Sequence, residues 1–383
     1  MTLASSTAGT LGNLTPQEDQ KLQQSWIHLL RLCGVEKLET PKDPIAVPDI
    51  SDELSSQLKN KSPESFRENL WGFILAEHPD ALILRFLRAR KWDVEKAMTM
   101  LVSAINWRDE RNLLETIIRT GENVALKDNP SEDDKAFINQ YRSGESYVHG
   151  TDKEHRVVYI IKVRLHDPNR QSPQAMESYI LHQIETLRTM MRPPNDKCCL
   201  IFDLTGFGLK NMDYHVVRFL ISVFEARYPE TLGLVLIHNA PFVFWGLWSM
   251  IKGWLDPNIA SKVNFTRTSA DMLQFIAPEN LQASFGGKDN FEYEYINPVP
   301  GENARLEAHE ERDKIQSERL QLIHEFEMKT TEWASLDSDS PSAADIASGR
   351  GKLAAQLSEV YWKLDPYIRA KTLDSRVGDV ANG

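Results

Sequence analysis

The sequence of 383 residues has few cysteines and no excess of positive charge. Its three cysteines, of which Cys198 and Cys199 are adjacent, are too few for a disulfide framework and lack the spacing of metal ligands. We therefore expect a reducing compartment and no bound metal. The net charge of −11 argues against a nucleic-acid partner, because Lys and Arg contacts to phosphate supply most of that affinity.

Catalytic motifs are also missing. The chain contains no G-x-S-x-G elbow, H-E-x-x-H pair or P-loop, and its ten histidines are scattered without nucleophile or metal partners nearby in sequence. The segment DLTGFG carries Gly206 and Gly208 of a dinucleotide fingerprint, but the third glycine is absent. We therefore predict no enzymatic activity, no catalytic residues and no cofactor.

A secretory signal is not visible, since the first 20 residues lack a basic region followed by an apolar run. Residues 231–251 carry no formal charge and would be long enough to cross a bilayer as one helix. Pro241 and the strand-like run LGLVLIH before it predict a strand, a turn and a helix instead. Neither half alone can span a membrane.

The composition, with 41% hydrophobic and 26% charged residues, is typical of a folded protein. The length predicts one main domain with appended helical pieces. We expect disorder over residues 1 to about 20, a helix at 17–32 and a linker at 40–62. The predicted divisions are a partly disordered extension at 1–64, a helical domain at 65–120, the main domain at 121–300 and a C-terminal helical extension at 301–383.

The helical domain is predicted from three consecutive amphipathic segments, and Asp93 is placed as the N-cap of the third. Its middle segment concentrates basic residues, namely Arg85, Arg88, Arg90 and Lys91. From charge alone, the favoured interpretation of this run is a solvated helix face.

The main domain alternates strands and helices. Strands are predicted at 157–164, 198–204, 232–238 and 262–266, and helices at 174–191, 213–227 and 242–254. The polar residues 123–154 are expected to form a connecting region. This alternation predicts an α/β fold with a mainly parallel sheet.

The C-terminal extension is predicted to contain two helices around a flexible linker. Residues 302–333 form a charged helical stretch with a sparse apolar face of Leu306, Leu320, Ile323 and Phe326. Residues 336–351 have the composition of a linker with phosphoacceptors at Ser338, Ser340 and Ser342. The last helix has its apolar residues at three- and four-residue spacing, which predicts docking within the chain: Leu353, Leu357, Val360, Tyr361 and Leu364.

Residues 242–255 are far more apolar than a surface helix requires, because ten of these fourteen residues are apolar. The large side chains considered for a site are Phe242, Phe244, Trp245, Trp248, Ile251, Trp254 and Leu255. One interpretation is a fully buried helix. The other is a helix that packs on the sheet and faces a cavity or a membrane, which the three tryptophans favour.

Seven ordered motifs resemble one family. They are LRFLRARKWDVEKA followed by NWR, then IFDLTGFG, YPETLG, HNAPFVF, WLDPNIASKV and PENLQASFGG. Over residues 76–288 the chain resembles the CRAL-TRIO family, and specifically its fungal phosphatidylinositol/phosphatidylcholine transfer members. The resemblance implies a small helical bundle followed by an α/β lipid-binding domain whose sheet floors a pocket. A mobile gate helix would correspond to residues 242–255.

The resemblance also implies a phosphatidylinositol headgroup site. Arg90, Lys91 and Lys262 would serve the phosphate, and Glu230 would accept hydrogen bonds from inositol hydroxyls. A threonine of the family pattern is replaced by Ile259.

In the pocket wall, the polar residues of the family's phosphatidylcholine site correspond to Cys198, Leu200 and Phe224. We therefore expect phosphatidylinositol, with a more apolar second lipid in place of phosphatidylcholine.

The function implied is lipid transfer by a cytoplasmic monomer that associates peripherally with endomembranes. Its partners would be a phospholipid and, transiently, a membrane surface. Two alternatives stay open. One is a lipid-presenting regulator of phosphoinositide signalling with a phosphoinositide kinase as partner, and the other is a protein-interaction module without bound lipid.

Overall fold

The computed structural model describes residues 8–35, 51–59, 61–191, 195–336 and 340–378. The chain divides into two units, Met1–Leu114 with Arg305–Ile368, and Glu115–Ala304 with Arg369–Asn382. The helices are α1 Pro16–Leu32, α2 Asp52–Leu58, α3 Pro63–Ile74, α4 Pro79–Ala89, α5 Val94–Glu110, α6 Glu132–Ser143, α7 Pro173–Met190, α8 Tyr214–Ala226, α9 Phe244–Lys252, α10 Pro257–Ser261, α11 Ser269–Met272, α12 His309–Ala334, α13 Pro341–Ile368 and α14 Leu373–Val377. The strands are β1 Ser146–Thr151, β2 Val157–Lys162, β3 Cys198–Asp203, β4 Leu232–His238 and β5 Val263–Thr266.

The first unit is helical, and its N-terminal part is more regular than expected. Helix α1 begins at Pro16 with a capping box in which Thr15 and Glu18 bond each other's backbone. The disorder predicted over residues 1 to about 20 is therefore wrong for the helical residues 16–20, and residues 1–7 lie outside the described residues. The linker predicted at 40–62 lies partly outside the described residues, and its described part contains α2. The prediction that Asp93 caps α5 is confirmed, because its side chain accepts a hydrogen bond from the backbone N–H of Lys96.

The long C-terminal helices belong to the same unit, and the flexible linker predicted at 336–351 is wrong for most of its length. Helix α13 begins at Pro341, and Ser340 Oγ accepts a hydrogen bond from the backbone N–H of Ala343. The low-complexity composition hid a helix that is fixed by burial: Arg350 is 2% exposed and its guanidinium lies 2.7 Å from the Asp80 carboxylate. Ser338 lies outside the described residues.

The predicted apolar faces of these helices are mostly correct. Ile323 and Phe326 of α12 are buried, whereas Leu320 is 42% exposed. The apolar residues predicted to dock α13 are all buried: Leu353, Leu357, Val360, Tyr361 and Leu364. Docking within the chain is therefore confirmed.

The second unit contains a five-stranded sheet with the order β1-β2-β3-β4-β5. Strand β1 is antiparallel to β2, and the three remaining pairs are parallel. The predicted α/β class with a mainly parallel sheet is thus confirmed. The connecting region predicted at 123–154 is wrong, because it contains α6 and β1. Helix α6 was missed because its first turn is acidic and polar, although it buries Phe137 and Tyr141.

Both faces of the sheet are covered, which explains why the strands have no polar alternation. One face packs on a core built largely by the segment after β5, with Met272, Ile276, Leu281 and Phe285. Strand β3 contributes Cys199 and Ile201 to that core, so the alternate residues of the strand lie on the opposite face. Among the described residues, no helix combines the length and apolar character needed to cross a membrane.

Candidate functional site

A cavity lies over the second face of the sheet, within the second unit. Its volume is about 190 Å³. Its sheet side is formed by alternate residues of three strands: Tyr159, Ile161, Leu200, Phe202, Val235 and Ile237. Its other walls come from α7, α8 and α9, and they are almost entirely apolar.

Helix α8 forms one wall because of how its apolar residues are spaced. Val216, Leu220 and Phe224 line the cavity, as do Val217 and Ile221. The apolar spacing in the sequence predicts Val216, Leu220, Val223 and Phe224 on the inner face of this helix. Three of them line the cavity, whereas Val223 is buried outside its lining. Of the predicted pocket-wall residues, Leu200 and Phe224 line the cavity, whereas Cys198 is fully buried and does not.

Helix α9 closes the cavity on the side of the aromatic segment and is shorter than predicted. It begins at Phe244 instead of Phe242, its N-cap Val243 offers no side-chain hydrogen bond, and it ends at Lys252 before Gly253. Its inner face carries Phe244, Trp248 and Ile251, and Leu255 follows them at the cavity wall.

The outer face of the same segment is apolar as well. Phe242 is 95% exposed, and Trp245 is 45% exposed beside the ring of Phe265. Trp254 does not line the cavity; its ring lies against Tyr214, and the Arg218 guanidinium is 4.5 Å from its centroid. The segment therefore divides into cavity-lining residues and solvent-facing aromatic residues.

Two polar clusters border the cavity. His166 is buried between two carboxylates, with Nδ1 2.7 Å from Glu145 Oε1 and Nε2 3.1 Å from Asp213 Oδ2. Burial alone would lower the pKa of His166, but Glu145 and Asp213 outweigh it and raise the pKa above the usual value. Asp213 also caps α8 through the backbone N–H of Val216, so His166 connects the start of this wall to the sheet.

The second cluster consists of hydroxyl groups that satisfy one another. Ser146 Oγ lies 2.7 Å from the Tyr159 hydroxyl and 2.8 Å from the Tyr179 hydroxyl, and all three side chains are buried. Because the groups are already paired, this end of the cavity does not oblige a ligand to supply hydrogen bonds.

The predicted headgroup residues Glu230 and Lys262 are brought together. Lys262 Nζ lies 3.8 Å from Glu230 Oε2. Glu230 has a φ of +58°, in the left-handed region that non-glycine residues seldom adopt and that is enriched at ligand sites. Asn258 donates a hydrogen bond from Nδ2 to Glu230 Oε1, and the following residue, Ile259, lines the cavity.

Arg90 and Lys91 lie in the first unit, just after α4. Arg90 is the C-cap of that helix, while Lys91 and Trp92 have φ values of +52° and +65°. Their neighbours in the basic run are not a solvated face: Arg85 is 3% exposed and paired with Glu77, and Arg88 donates to the backbone oxygen of Gly9. The interpretation of a solvated face is therefore wrong for Arg85.

The polar residues around the cavity were not predicted from the sequence. His166 lies 21 residues after Glu145 and 47 residues before Asp213, so no local sequence pattern contains all three. Asn258 lies in the motif WLDPNIASKV and in helix α10, but the family resemblance gives it no role. Within the described ranges, no group of three or more His, Cys, Asp or Glu side chains is arranged to hold a metal ion.

Comparisons with known proteins agree with this architecture. The family model for the CRAL/TRIO domain matches residues 141–287, and that for the CRAL/TRIO N-terminal domain matches residues 50–103. A CRAL-TRIO domain-containing protein of Schizosaccharomyces pombe is 34% identical, over 98% of this chain and 93% of that protein. The phosphatidylinositol transfer protein CSR1 of Eremothecium gossypii is 37% identical, over 84% and 73% respectively.

The crystal structure of Sfh5 is similar to this chain, with a TM-score of 0.48 and a sequence identity of 16%. The match covers 75% of this chain and 92% of the Sfh5 chain. The sequence relatives match most of their own length, and the two family models match in the order that the motifs predicted. The chain therefore belongs to the CRAL-TRIO family of lipid-binding proteins.

Proposed function

We propose that this protein binds phosphatidylinositol, with the acyl chains in the cavity, and exchanges it at membrane surfaces. The observation that carries the proposal is the apolar cavity enclosed by the sheet, α8 and α9. A protein-interaction module without lipid would have a filled core at this place, so the cavity argues against that alternative.

Solvent energetics explain why such a protein accelerates transfer. Exposure of acyl chains to water costs about 0.8 kcal/mol per CH₂, so two chains of roughly sixteen carbons face a cost of more than about 20 kcal/mol. An enclosed apolar cavity removes most of that cost during transit. No chemical step is needed, and we propose that the protein is not an enzyme.

The headgroup is proposed to bind at Glu230 and Lys262. A carboxylate accepts hydrogen bonds from inositol hydroxyls, and an ammonium group pairs with the phosphodiester. The left-handed backbone at Glu230 supports a functional role for this residue. The assignment of Arg90 and Lys91 to the phosphate rests on the family resemblance and on the positive φ of Lys91.

A second, more apolar lipid is proposed to use the same cavity. Leu200 and Phe224 line it where the family's phosphatidylcholine site is polar, and they offer no hydrogen bond to a choline phosphate. The buried hydroxyls of Ser146, Tyr159 and Tyr179 are already paired. A sterol-like or isoprenoid lipid fits these surroundings better than a zwitterionic headgroup.

Exchange is proposed to need movement of α9. The helix is nine residues long, has no side-chain N-cap and is flanked by solvent-exposed Phe242. Opening would expose Phe244, Trp248 and Ile251 to water, which is unfavourable except where a bilayer covers them. Membrane contact therefore favours an open state that is rare in solution.

In the cell, we propose a cytoplasmic monomer with transient peripheral association with endomembranes. A lipid-presenting role towards a phosphoinositide kinase would use the same loaded state. Measurement of kinase stimulation alongside transfer separates the two roles.

A vesicle transfer assay tests the proposal. Donor vesicles of phosphatidylcholine with labelled phosphatidylinositol are mixed with unlabelled acceptors, and the double variant K91A/K262A is compared with the unaltered protein. We expect at least a tenfold loss, since hydrogen bonds to charged groups contribute about 1.5–3 kcal/mol each. Unchanged transfer in the double variant would refute the headgroup assignment.

A further inference from the structure

Asn258 contacts the proposed headgroup site, although the family resemblance gives it no role. Its Nδ2 donates to Glu230 Oε1, and its side chain is exposed to solvent. We propose that Asn258 positions the Glu230 carboxylate and adds its own side-chain oxygen to the recognition of inositol hydroxyls. This inference rests on the proposed function and names a specificity-determining residue of the same site.

The carboxylate of Glu230 is held from two sides. Asn258 bonds to one oxygen, and Lys262 Nζ lies 3.8 Å from the other. The left-handed φ of Glu230 is unfavourable for a residue other than glycine, so the surrounding contacts must maintain it. A fixed carboxylate loses less conformational entropy when a ligand hydroxyl bonds to it.

Asn258 itself is anchored through its backbone. Its N–H donates to Asp256 Oδ1 over 2.8 Å, and its carbonyl oxygen accepts from Ser261 Oγ over 2.7 Å. The backbone N–H of Asp256 in turn donates to Glu225 Oε1 over 2.6 Å. The main chain around Asn258 is therefore fixed before any ligand binds.

The orientation of the amide follows from the chemistry of its partner. An ionised carboxylate only accepts hydrogen bonds, so the NH₂ group of Asn258 must face Glu230 and its Oδ1 must face away. Across the described part of the chain, Oδ1 receives no hydrogen bond from the protein. It is thus an acceptor open to a ligand, and a vicinal diol can donate to Oδ1 and to Glu230 together.

This arrangement compensates for the replaced threonine. Ile259 lines the apolar cavity and offers no hydrogen bond, whereas Asn258 places a polar group one residue earlier on the solvent side. The contribution is selective, because a polyol headgroup has hydroxyl donors and phosphocholine has none.

The test uses N258V with N280V as the matched control. Asn280 is another exposed asparagine whose amide bonds to a side chain, Thr151 Oγ1, and it does not line the cavity. Phosphatidylinositol transfer between phosphatidylcholine vesicles is measured together with the thermal midpoint and with loading of a radiolabelled isoprenoid hydrocarbon. We expect N258V to lower phosphatidylinositol transfer about fivefold to tenfold, the size expected for the loss of one hydrogen bond between neutral groups. The midpoint and hydrocarbon loading should match those of N280V.

A rescue variant tests the compensation directly. Addition of I259T to N258V restores the hydroxyl that the family pattern has at this position and should recover most of the transfer; no recovery would refute the compensation. If N258V transfers phosphatidylinositol like N280V while E230Q and K262A fail, the role of Asn258 is refuted and the proposed function stands. If the unaltered protein transfers no phosphatidylinositol, the proposed function itself is refuted.

Discussion

Lys262 Nζ lies 3.8 Å from Glu230 Oε2, and the two side chains are only 15% and 11% exposed. Because both side chains are largely buried, solvent screens the attraction between their charges only weakly. Two opposite charges held side by side suit a ligand with a phosphodiester and neighbouring hydroxyl groups. Either charge alone would discriminate less between headgroups.

Neutralisation of Glu230 should therefore separate headgroup recognition from cavity loading. In E230Q we expect phosphatidylinositol binding to weaken about tenfold, because an amide accepts weaker hydrogen bonds than a carboxylate. Loading of an uncharged hydrocarbon should not change. The control E279Q alters an exposed glutamate paired with Lys288, and a similar loss in both variants would contradict the assignment.

The two sides of the aromatic segment should respond differently to substitution. F244A removes a buried, cavity-lining ring and should lower the free energy of unfolding by about 3 kcal/mol. F242S alters a side chain that is 95% exposed and should change the free energy of unfolding by less than about 0.5 kcal/mol. We nevertheless expect F242S to reduce vesicle binding and transfer, as measured by flotation and lipid exchange. Normal vesicle binding by F242S would mean that this ring does not contact the bilayer.

The pH dependence of stability should carry a contribution from His166. Its pKa is raised in the folded state by Glu145 and Asp213, so the folded protein binds this proton more tightly than the unfolded chain. The stabilisation is complete below the unfolded pKa of about 6.5 and is lost as the pH rises through the folded pKa.

The contribution of His166 to stability is measured by comparing the thermal midpoints of the unaltered protein and of H166N from pH 5.5 to 8.5. The difference between the two proteins should be largest at the acid end and should shrink towards the alkaline end. Other histidines cancel in the comparison, including His182, whose pKa is lowered to about 3 by burial. A difference that grows with pH would contradict the contacts of His166.

The buried pair of Arg350 and Asp80 should hold α13 in the first unit. R350M leaves Asp80 buried with no guanidinium partner, and we expect a loss of about 3–5 kcal/mol in the free energy of unfolding. The matched change K363M affects an exposed pair with Glu318 and should cost less than about 1 kcal/mol. Equal denaturation midpoints for the two variants would favour a flexible segment over a docked helix.

The strands that are buried on both faces were predicted correctly, because their sequences are continuously apolar. Strands β3 and β4 read as continuous apolar runs because one face packs on the core and the other lines the cavity. Strand β1 was missed because His149 and Gly150 interrupt its pattern. Helix α13 was missed over its first half because serine, glycine and alanine resemble a linker, although burial of Arg350 fixes it.

The candidate site was predictable only in part. The aromatic excess at residues 242–255 indicated an unusual helix, but which residues face the cavity depends on where that helix begins. Glu230 and Lys262 are 32 residues apart and were identified only through the family resemblance. The contacts of Asn258 and His166 join residues distant in sequence, so no periodicity or motif could reveal them.

Identification of the lipids that co-purify with the protein shows directly whether it binds phosphatidylinositol. The full chain is expressed in a eukaryotic host, extracted with organic solvent and analysed by mass spectrometry, with E230Q/K262A as control. We predict phosphatidylinositol together with an uncharged apolar lipid in the unaltered protein, and only the apolar lipid in the double variant. An extract without lipid, or one that contains phosphatidylcholine as its main component, would contradict the proposed binding of phosphatidylinositol and an apolar second lipid.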